Sequence, residues 1–226
     1  FENAWFAAAR GAFEGKLSDA PENLPAAPIL LFAHGSSGIG APLKAFARFV
    51  SSLGWSFLAP DSFVVPDRIT YSSPVSRENY ERVHAMRSQE LDYAARHLDE
   101  APGFSGRYAV AGTSEGGVAA ARFTAPEGRR ETGRILFSWP CEDNYHVVVH
   151  QTHIPDDVPV LNIMSAEDKY FSRANPWLDN PDALGHAGRT LARHPQTSIL
   201  LIPGAPHTLF ALPQTESAVR AFLERI

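Results

Sequence analysis

The sequence predicts an α/β domain in which a doubly wound, mostly parallel β-sheet is flanked by helices. Three observations lead to this fold class. Six short segments are almost continuously apolar, which is typical of strands buried on both faces. Segments with helical spacing, or loops rich in Gly, Pro, Asp and Asn, separate them. The chain has 226 residues, so residues 1–226 are expected to form a single domain.

The six apolar segments are taken as strands in chain order. They are residues 28–33, 56–60, 107–111, 134–139, 159–164 and 197–202. Ahead of them, residues 6–17 are interpreted as one or two short antiparallel strands at the sheet edge, with a helix as the alternative. Residues 1–27 are therefore expected to add edge strands or an N-terminal extension.

Four segments between and after these strands have helical spacing and identifiable ends. Residues 42–53 begin with a proline and stop at Gly54, and residues 76–98 begin at a Ser76 N-cap. Residues 182–193 and 214–225 each follow a proline and are also predicted to be helical. The longest connections, 61–75 and 140–158, have the size of loops, so no separate lid domain is expected.

Composition excludes several classes of function. The formal charge is −5, with 25 acidic residues against 20 Lys and Arg, which argues against a nucleic-acid partner. No apolar run is long enough to span a bilayer, so no membrane segment is expected. The chain begins with Phe1 rather than Met, so its location stays open, with cytoplasmic as the default and secreted or periplasmic as alternatives.

The sharpest motif is Gly112-Thr-Ser114-Glu-Gly116, which follows an apolar strand and opens a helix of small residues. This strand-turn-helix context is typical of a nucleophile elbow, where a sharp turn lifts a serine hydroxyl out of the sheet. Ser114 is therefore the candidate nucleophile. The alternative is a glycine-rich structural turn with an inert serine.

A serine nucleophile needs a base and a carboxylate to orient that base. His207 lies just past the last predicted strand, and we expect it to be the general base. Asp168 follows the penultimate strand and is the first choice for the carboxylate. Asp143 and Glu167 are the alternatives for this role.

An oxyanion site requires two backbone N–H groups. One is expected from Glu115, the residue after the nucleophile, and the other from Ser36 in the glycine-rich turn after the first central strand. Ser37 is the alternative to Ser36. The same turn lacks the lysine and spacing of a phosphate-binding loop, so no nucleotide cofactor is expected.

Aromatic residues are concentrated in the loops that follow the strands, where ligands bind in α/β sheets. Those expected to wall a substrate pocket are Phe63, Tyr71, Trp139, Tyr145, Phe171, Trp177 and Phe210. His146, His150 and His153 suggest a metal site, but Val147 to Val149 favour extended structure that would turn His153 away from the other two. No metal is expected. The only cysteine, Cys141, is interpreted as an inert buried thiol.

The order Ser114, Asp168, His207, with His34-Gly35 after the first central strand, resembles the α/β-hydrolase superfamily. Within it, Pro60-Asp61-Ser62-Phe63 and the long helix that follows resemble the dienelactone-hydrolase-like family of small, capless hydrolases. Dienelactone hydrolases proper have a cysteine at the elbow, whereas this chain has Ser114, so their substrate is not carried over. The resemblance to serine-bearing relatives implies an esterase or related acyl hydrolase.

The expected function is therefore cleavage of a small-molecule carboxylic ester by a serine hydrolase with an acyl-enzyme intermediate. Amides, thioesters, lactones and transfer of the acyl group to an acceptor other than water remain alternatives. A non-catalytic binding module is a further one. The natural substrate and the oligomeric state are left open by the sequence.

Overall fold

The architecture comes from a computed structural model, which describes residues 3–226. This range contains eight strands and four α-helices. The strands are Trp5–Ala7 (β1), Glu14–Lys16 (β2), Ala27–Ala33 (β3), Ser56–Ala59 (β4), Phe104–Thr113 (β5), Arg134–Phe137 (β6), Val160–Ser165 (β7) and Thr197–Ile202 (β8). The helices are Ala41–Ser52 (α1), Arg77–Arg96 (α2), Glu115–Arg122 (α3) and Pro213–Arg225 (α4).

All eight strands belong to one sheet with the order β2-β1-β4-β3-β5-β6-β7-β8. The six strands from β4 to β8 in this order pair in parallel, whereas β1 pairs antiparallel with both β2 and β4. The predicted mostly parallel sheet is therefore confirmed. The parallel strands direct their carboxyl ends to one edge, where the loops that follow them meet.

The sheet separates two apolar cores, because successive side chains of a strand point to opposite faces. On one face, Ile29 and Leu31 of β3 pack with α2 and α3. On the other face, Leu30 and Phe32 of the same strand pack with α1 and α4. Burial of both faces explains why the parallel strands have nearly continuous apolar sequences, and it confirms the doubly wound arrangement.

The segment 182–193 was predicted to be a helix, and this prediction is wrong. Residues 181–196 form a series of turns. Gly185 has a positive φ of 75°, which interrupts a right-handed helix. The amides of Leu184 and Gly185 donate to the buried Glu142 carboxylate, and the amide of Ala187 donates to Asn162 Oδ1. These side chains replace the carbonyl acceptors of a helix.

No separate lid is present in residues 3–226, since the connections beyond the strand ends are loops and short turns. Within the same range, none of the helices combines the length and the apolar character that a membrane crossing requires. The walls of any cavity at the carboxyl edge of the sheet must therefore come from these loops.

Candidate active site

Ser114 occupies a strained turn between β5 and α3. Its φ of 54° and ψ of −117° lie outside the regions that non-glycine residues usually adopt. The glycines of the motif allow this turn: a Cβ on Gly112 would lie 2.1 Å from the carbonyl oxygen of Gly116, and one on Gly116 would lie 2.0 Å from that of Ala33. The turn therefore holds the Ser114 side chain at the carboxyl edge of the sheet.

His207 and Asp168 are joined by a hydrogen bond of 2.7 Å between His207 Nδ1 and Asp168 Oδ2. The Asp168 side chain is only 1% exposed, and its Oδ1 accepts from the amides of Tyr170 (2.9 Å) and Phe171 (3.2 Å). Because Nδ1–H donates to the carboxylate and keeps its proton, the unprotonated Nε2 is left as the basic nitrogen of the ring.

The two alternative carboxylates have other partners. Asp143 accepts from the amide of His150, and Glu167 accepts from the amide of Gly204. The loop after β7 therefore brings Asp168, and neither of these, to the imidazole of His207.

Ser114 and His207 line the same cavity, which has a volume of about 640 Å³. Within residues 3–226, no hydrogen bond joins the Ser114 hydroxyl to the His207 ring. Contacts between nucleophile and base are often long before substrate binds and shorten in the reacting complex. The candidate nucleophile Ser114, the candidate base His207 and the carboxylate of Asp168 thus lie on three loops at one edge of the sheet.

The two candidate oxyanion donors flank this serine. Ser36 lines the cavity, and Glu115 is the first residue of α3, where the amide has no carbonyl partner inside the helix. Among the described residues, neither amide donates a hydrogen bond. Both N–H groups are therefore free to bind an anionic oxygen beside Ser114.

The buried side chain of His34 stabilises the turn that carries Ser36. The ring accepts hydrogen bonds at Nε2 from the Ser62 amide and from Arg87, both at 3.1 Å, while Nδ1 faces the Gly35 carbonyl oxygen. Burial, reinforced by the neighbouring Arg87 charge, lowers the pKa of His34 to about 3. A neutral imidazole thus fixes this turn.

A buried ionic cluster lies directly behind the elbow and was missed by sequence reasoning. The Glu115 carboxylate is fully buried, accepts from Arg68 and from the Tyr71 hydroxyl at 2.8 Å each, and lies 3.5 Å from Arg87 Nε. Burial, and secondarily the Glu115 charge, raises the pKa of Tyr71. The side chain of Glu115, whose amide is a candidate oxyanion donor, therefore links the connection after β4 to α3.

The cavity wall contains five of the seven aromatic residues predicted for it: Tyr71, Tyr145, Phe171, Trp177 and Phe210. Tyr170, from the loop after β7, also lines the cavity. Phe63 and Trp139 lie outside the lining. Phe63 stacks on the His34 ring and under the Arg68 guanidinium, and Trp139 is buried against Gly117 and the Phe171 ring.

The three histidines of the segment 146–153 do not converge. This segment is a loop with turns, so the expected extended structure is wrong. His146 is buried among Tyr80, His84 and Phe171, His150 contacts Asp143, and His153 Nδ1 faces the Arg122 carbonyl. Across residues 3–226, no cluster of three or more His, Cys, Asp or Glu side chains is arranged to hold a metal ion.

Cys141 is a free, buried thiol. Burial raises its pKa to about 12, so the reactive thiolate is not formed near neutral pH. This environment is that of a small apolar core residue rather than a nucleophile.

Comparison with known proteins identifies the fold. No protein-family model and no curated protein matches the sequence. Solved structures do match. A protein assigned as a hydrolase of the alpha/beta superfamily from Xanthomonas campestris pv. campestris is 20% identical with a TM-score of 0.61, over 88% of this chain and 99% of that one. A protein assigned as a dienelactone hydrolase from Klebsiella pneumoniae subsp. pneumoniae is 14% identical with a TM-score of 0.62, over 91% of this chain and 88% of that one.

A thermophilic esterase from the planctomycete Thermogutta terrifontis, solved with propionate bound, is 13% identical with a TM-score of 0.58, over 98% of this chain and 88% of that one. At such identities the likeness is one of fold. The chain has the α/β-hydrolase fold that the order of its motifs predicts.

Proposed function

We propose that the protein is a serine hydrolase that cleaves a carboxylic ester through an acyl-enzyme intermediate. The observation that carries this proposal is one cavity lined by the strained Ser114, by Ser36 and by His207, whose imidazole is bonded at 2.7 Å to the buried Asp168. The Ser36 amide and the amide of Glu115, which follows Ser114, donate no hydrogen bond among the described residues. Esterases and hydrolases among the solved structures of the same fold support the same class of reaction.

In the proposed reaction, Ser114 Oγ attacks the ester carbonyl while His207 Nε2 takes the hydroxyl proton. The carbonyl oxygen becomes an oxyanion that the amides of Ser36 and Glu115 stabilise, a contribution of about 3–4 kcal/mol for each donor. His207 then returns the proton to the leaving alcohol. Water, deprotonated by the same imidazole, attacks the acyl-enzyme and releases the acid, which restores Ser114.

The chemistry of the cavity favours a small ester with an apolar or aromatic part. The lining combines aromatic side chains, among them Tyr145, Phe171 and Phe210, with several serines. A volume of about 640 Å³ accommodates a ligand of drug-like size or smaller. Carboxylic esters need the least activation of the leaving group, which is why they are proposed ahead of amides, thioesters and lactones.

The test uses Ser114→Ala, with Ser105→Ala as the matched control because Ser105 is an exposed serine at the far end of β5. Purified proteins are assayed on p-nitrophenyl esters of increasing acyl length and treated with a fluorophosphonate probe. We expect the wild type and the control to hydrolyse esters and to gain the mass of the probe, and Ser114→Ala to lose both. Equal hydrolysis and labelling in Ser114→Ala overturns the proposal.

Two further readouts separate the alternatives on the same site. Assays with added methanol or a primary amine show by product analysis whether the acyl group passes to an acceptor other than water. A folded wild type that neither labels nor hydrolyses any of the esters would be a binding module, and this also overturns the proposal.

A further inference from the structure

Strand β8 forms one edge of the sheet, and β2 forms the other. Among residues 3–226, the only strand neighbour of β8 is β7. Two hydrogen bonds show which residues of β8 face β7. At one end of the ladder the Val160 amide donates to the Gln196 carbonyl, and at the other end the Ala166 amide donates to the Ile202 carbonyl. Even-numbered residues of β8 bond to β7, so the N–H and C=O groups of Thr197, Ile199 and Leu201 point away from the sheet.

Nothing in β8 protects this edge in the usual ways. Residues 197–202 read Thr-Ser-Ile-Leu-Leu-Ile and contain no charged residue and no proline. The pairing with β7 continues through all six residues without a bulge. Proteins normally blunt exposed edges with charges, prolines or bulges, because a bare edge is a template for another strand.

The side chains beside this edge are also uncovered. Ile199 is 37% exposed and Leu201 is 41% exposed. Residues 181–196 form turns rather than a helix, and one of these turns passes beside Ile199, since a Cβ added at Gly188 would lie 3.3 Å from Ile199 Cδ1. An apolar, uncharged strand with open hydrogen-bonding groups therefore faces solvent.

We propose that β8 pairs with β8 of a second copy of this chain. The strands run antiparallel about a twofold axis at Ile199, so that Ile199 lies opposite its own copy and Thr197 lies opposite Leu201. In this register the three outward residues of each strand form hydrogen-bonded pairs, and all their N–H and C=O groups find partners. If the two strands were shifted to any other register, some outward N–H and C=O groups of Thr197, Ile199 or Leu201 would lack partners in the second strand. The register centred on Ile199 is therefore favoured.

Charges beyond the strand ends fit the same arrangement. Arg193 precedes β8, is exposed and forms no ion pair among the described residues. The Glu167 carboxylate is held beside Gly204, just past the other end of β8, by the Gly204 amide at 2.7 Å. Antiparallel pairing at Ile199 brings the region of Arg193 in one copy to that of Gly204 and Glu167 in the other, and the twofold axis repeats this attraction.

The proposal is independent of the hydrolase function. None of the residues that line the cavity belongs to β8, so pairing at this edge leaves the cavity open. A contact of six residues in each copy is a small interface, and the dimer is expected to be weak and dependent on concentration.

The first test is sedimentation equilibrium of the wild type from about 1 µM to about 500 µM, a range that suits a small interface. We expect the mass to rise from 24.7 kDa towards twice that value. Ile199→Lys places two ammonium groups opposite each other and should weaken the dimer by roughly 10-fold or more. Val148→Lys is the matched control, since Val148 is also an exposed apolar residue but lies far from β8 in sequence.

Cross-linking tests the register. In an Ile199→Cys variant the two new thiols belong to a hydrogen-bonded pair, in which Cα atoms lie about 5.5 Å apart, within reach of a disulfide. Oxidation should give a covalent dimer, whereas Ser198→Cys should not, because each Ser198 lies opposite Leu200. The native Cys141 is buried and does not compete.

A wild type that stays at 24.7 kDa over the whole range and an Ile199→Cys variant that does not cross-link overturn the proposal. A dimer that Ile199→Lys leaves intact also overturns it. Retained ester hydrolysis in these variants, or its absence in all of them, bears on the proposed function and not on the dimer.

Discussion

Replacing Asp168 with asparagine tests the orientation of His207 by changing one atom. Asp168 Oδ1 accepts from two backbone amides, of Tyr170 at 2.9 Å and of Phe171 at 3.2 Å. Both amides require an acceptor, so the asparagine must keep its carbonyl oxygen there and turn its NH₂ group towards His207. An NH₂ group donates, and His207 Nδ1 must then accept. The ring proton moves to Nε2, which can no longer take the proton of Ser114.

This wrong tautomer removes general-base catalysis while leaving the fold and the oxyanion amides in place. Loss of the correct tautomer in a serine triad lowers kcat by about 10³ to 10⁴-fold, equivalent to about 4–5.5 kcal/mol of transition-state stabilisation. The measurement is kcat and KM on an activated ester, with circular dichroism and thermal unfolding to verify the fold. We expect KM to change little, since the carboxylate does not line the cavity.

Matched controls come from the two other carboxylates in nearby loops. Asp143→Asn and Glu167→Gln remove charges that contact the amides of His150 and Gly204 and do not contact His207. Both should retain kcat within about 3-fold of the wild type. The reasoning is refuted if Asp168→Asn loses less than about 10-fold, or if either control loses as much as Asp168→Asn.

Two further predictions concern stability. Glu115→Gln leaves the buried guanidinium groups of Arg68 and Arg87 without their shared carboxylate, so urea unfolding should report a loss of about 3–5 kcal/mol. Glu14→Gln breaks the exposed pair with Arg48 and should cost less than about 1 kcal/mol, and equal losses would contradict the role of burial. Acid should also destabilise the fold, because burial lowers the pKa of His34 to about 3 and of His84 to about 4, from 6.5. Between pH 6.5 and these values the two histidines are protonated in the unfolded chain but not in the folded chain. The free energy of unfolding therefore decreases as the pH is lowered, by about 2 kcal/mol for each histidine at pH 5. Urea titrations at pH 8 and pH 5 measure this, and His84→Phe should remove the roughly 2 kcal/mol assigned to that histidine. His146, whose pKa is also lowered by burial, adds to the difference. A flat pH profile would contradict the prediction.

The strands and the elbow were predictable because each depends on local sequence. Parallel strands are buried on both faces, so residues such as Ile29 to Phe32 read as a continuous apolar run. The elbow needs glycine at positions 112 and 116, where a Cβ would collide with backbone, and this requirement is visible as a motif. Asp168 and His207 were chosen as candidates by a rule of position, since each follows a strand of the parallel sheet, and the fold joins them by a hydrogen bond.

Features that depend on distant partners were not predictable. Arg68 and Glu115 are 47 positions apart, and in the sequence each looks like an ordinary surface charge. Only the fold buries them together. Similarly, the spacing of apolar residues over 182–193 is helical, but the amides of Leu184 and Gly185 are taken by Glu142, which is more than 40 positions away. The two glycines within that segment, Gly185 and Gly188, were the sequence signal against a helix, because glycine destabilises helix interiors.

The buried carboxylate of Glu115 limits how this protein can be redesigned. Arg68 and Tyr71 belong to the connection between β4 and α2, which walls the cavity, whereas Glu115 belongs to α3 and follows the candidate nucleophile. That connection therefore cannot be exchanged independently of α3, because a graft that omits Arg68 removes the ion pair of 2.8 Å from the buried Glu115 carboxylate, one residue from Ser114. Libraries that aim to change substrate preference should keep Arg68, Tyr71 and Glu115 together and vary the loop after β7, where Tyr170, Phe171 and Trp177 meet the cavity.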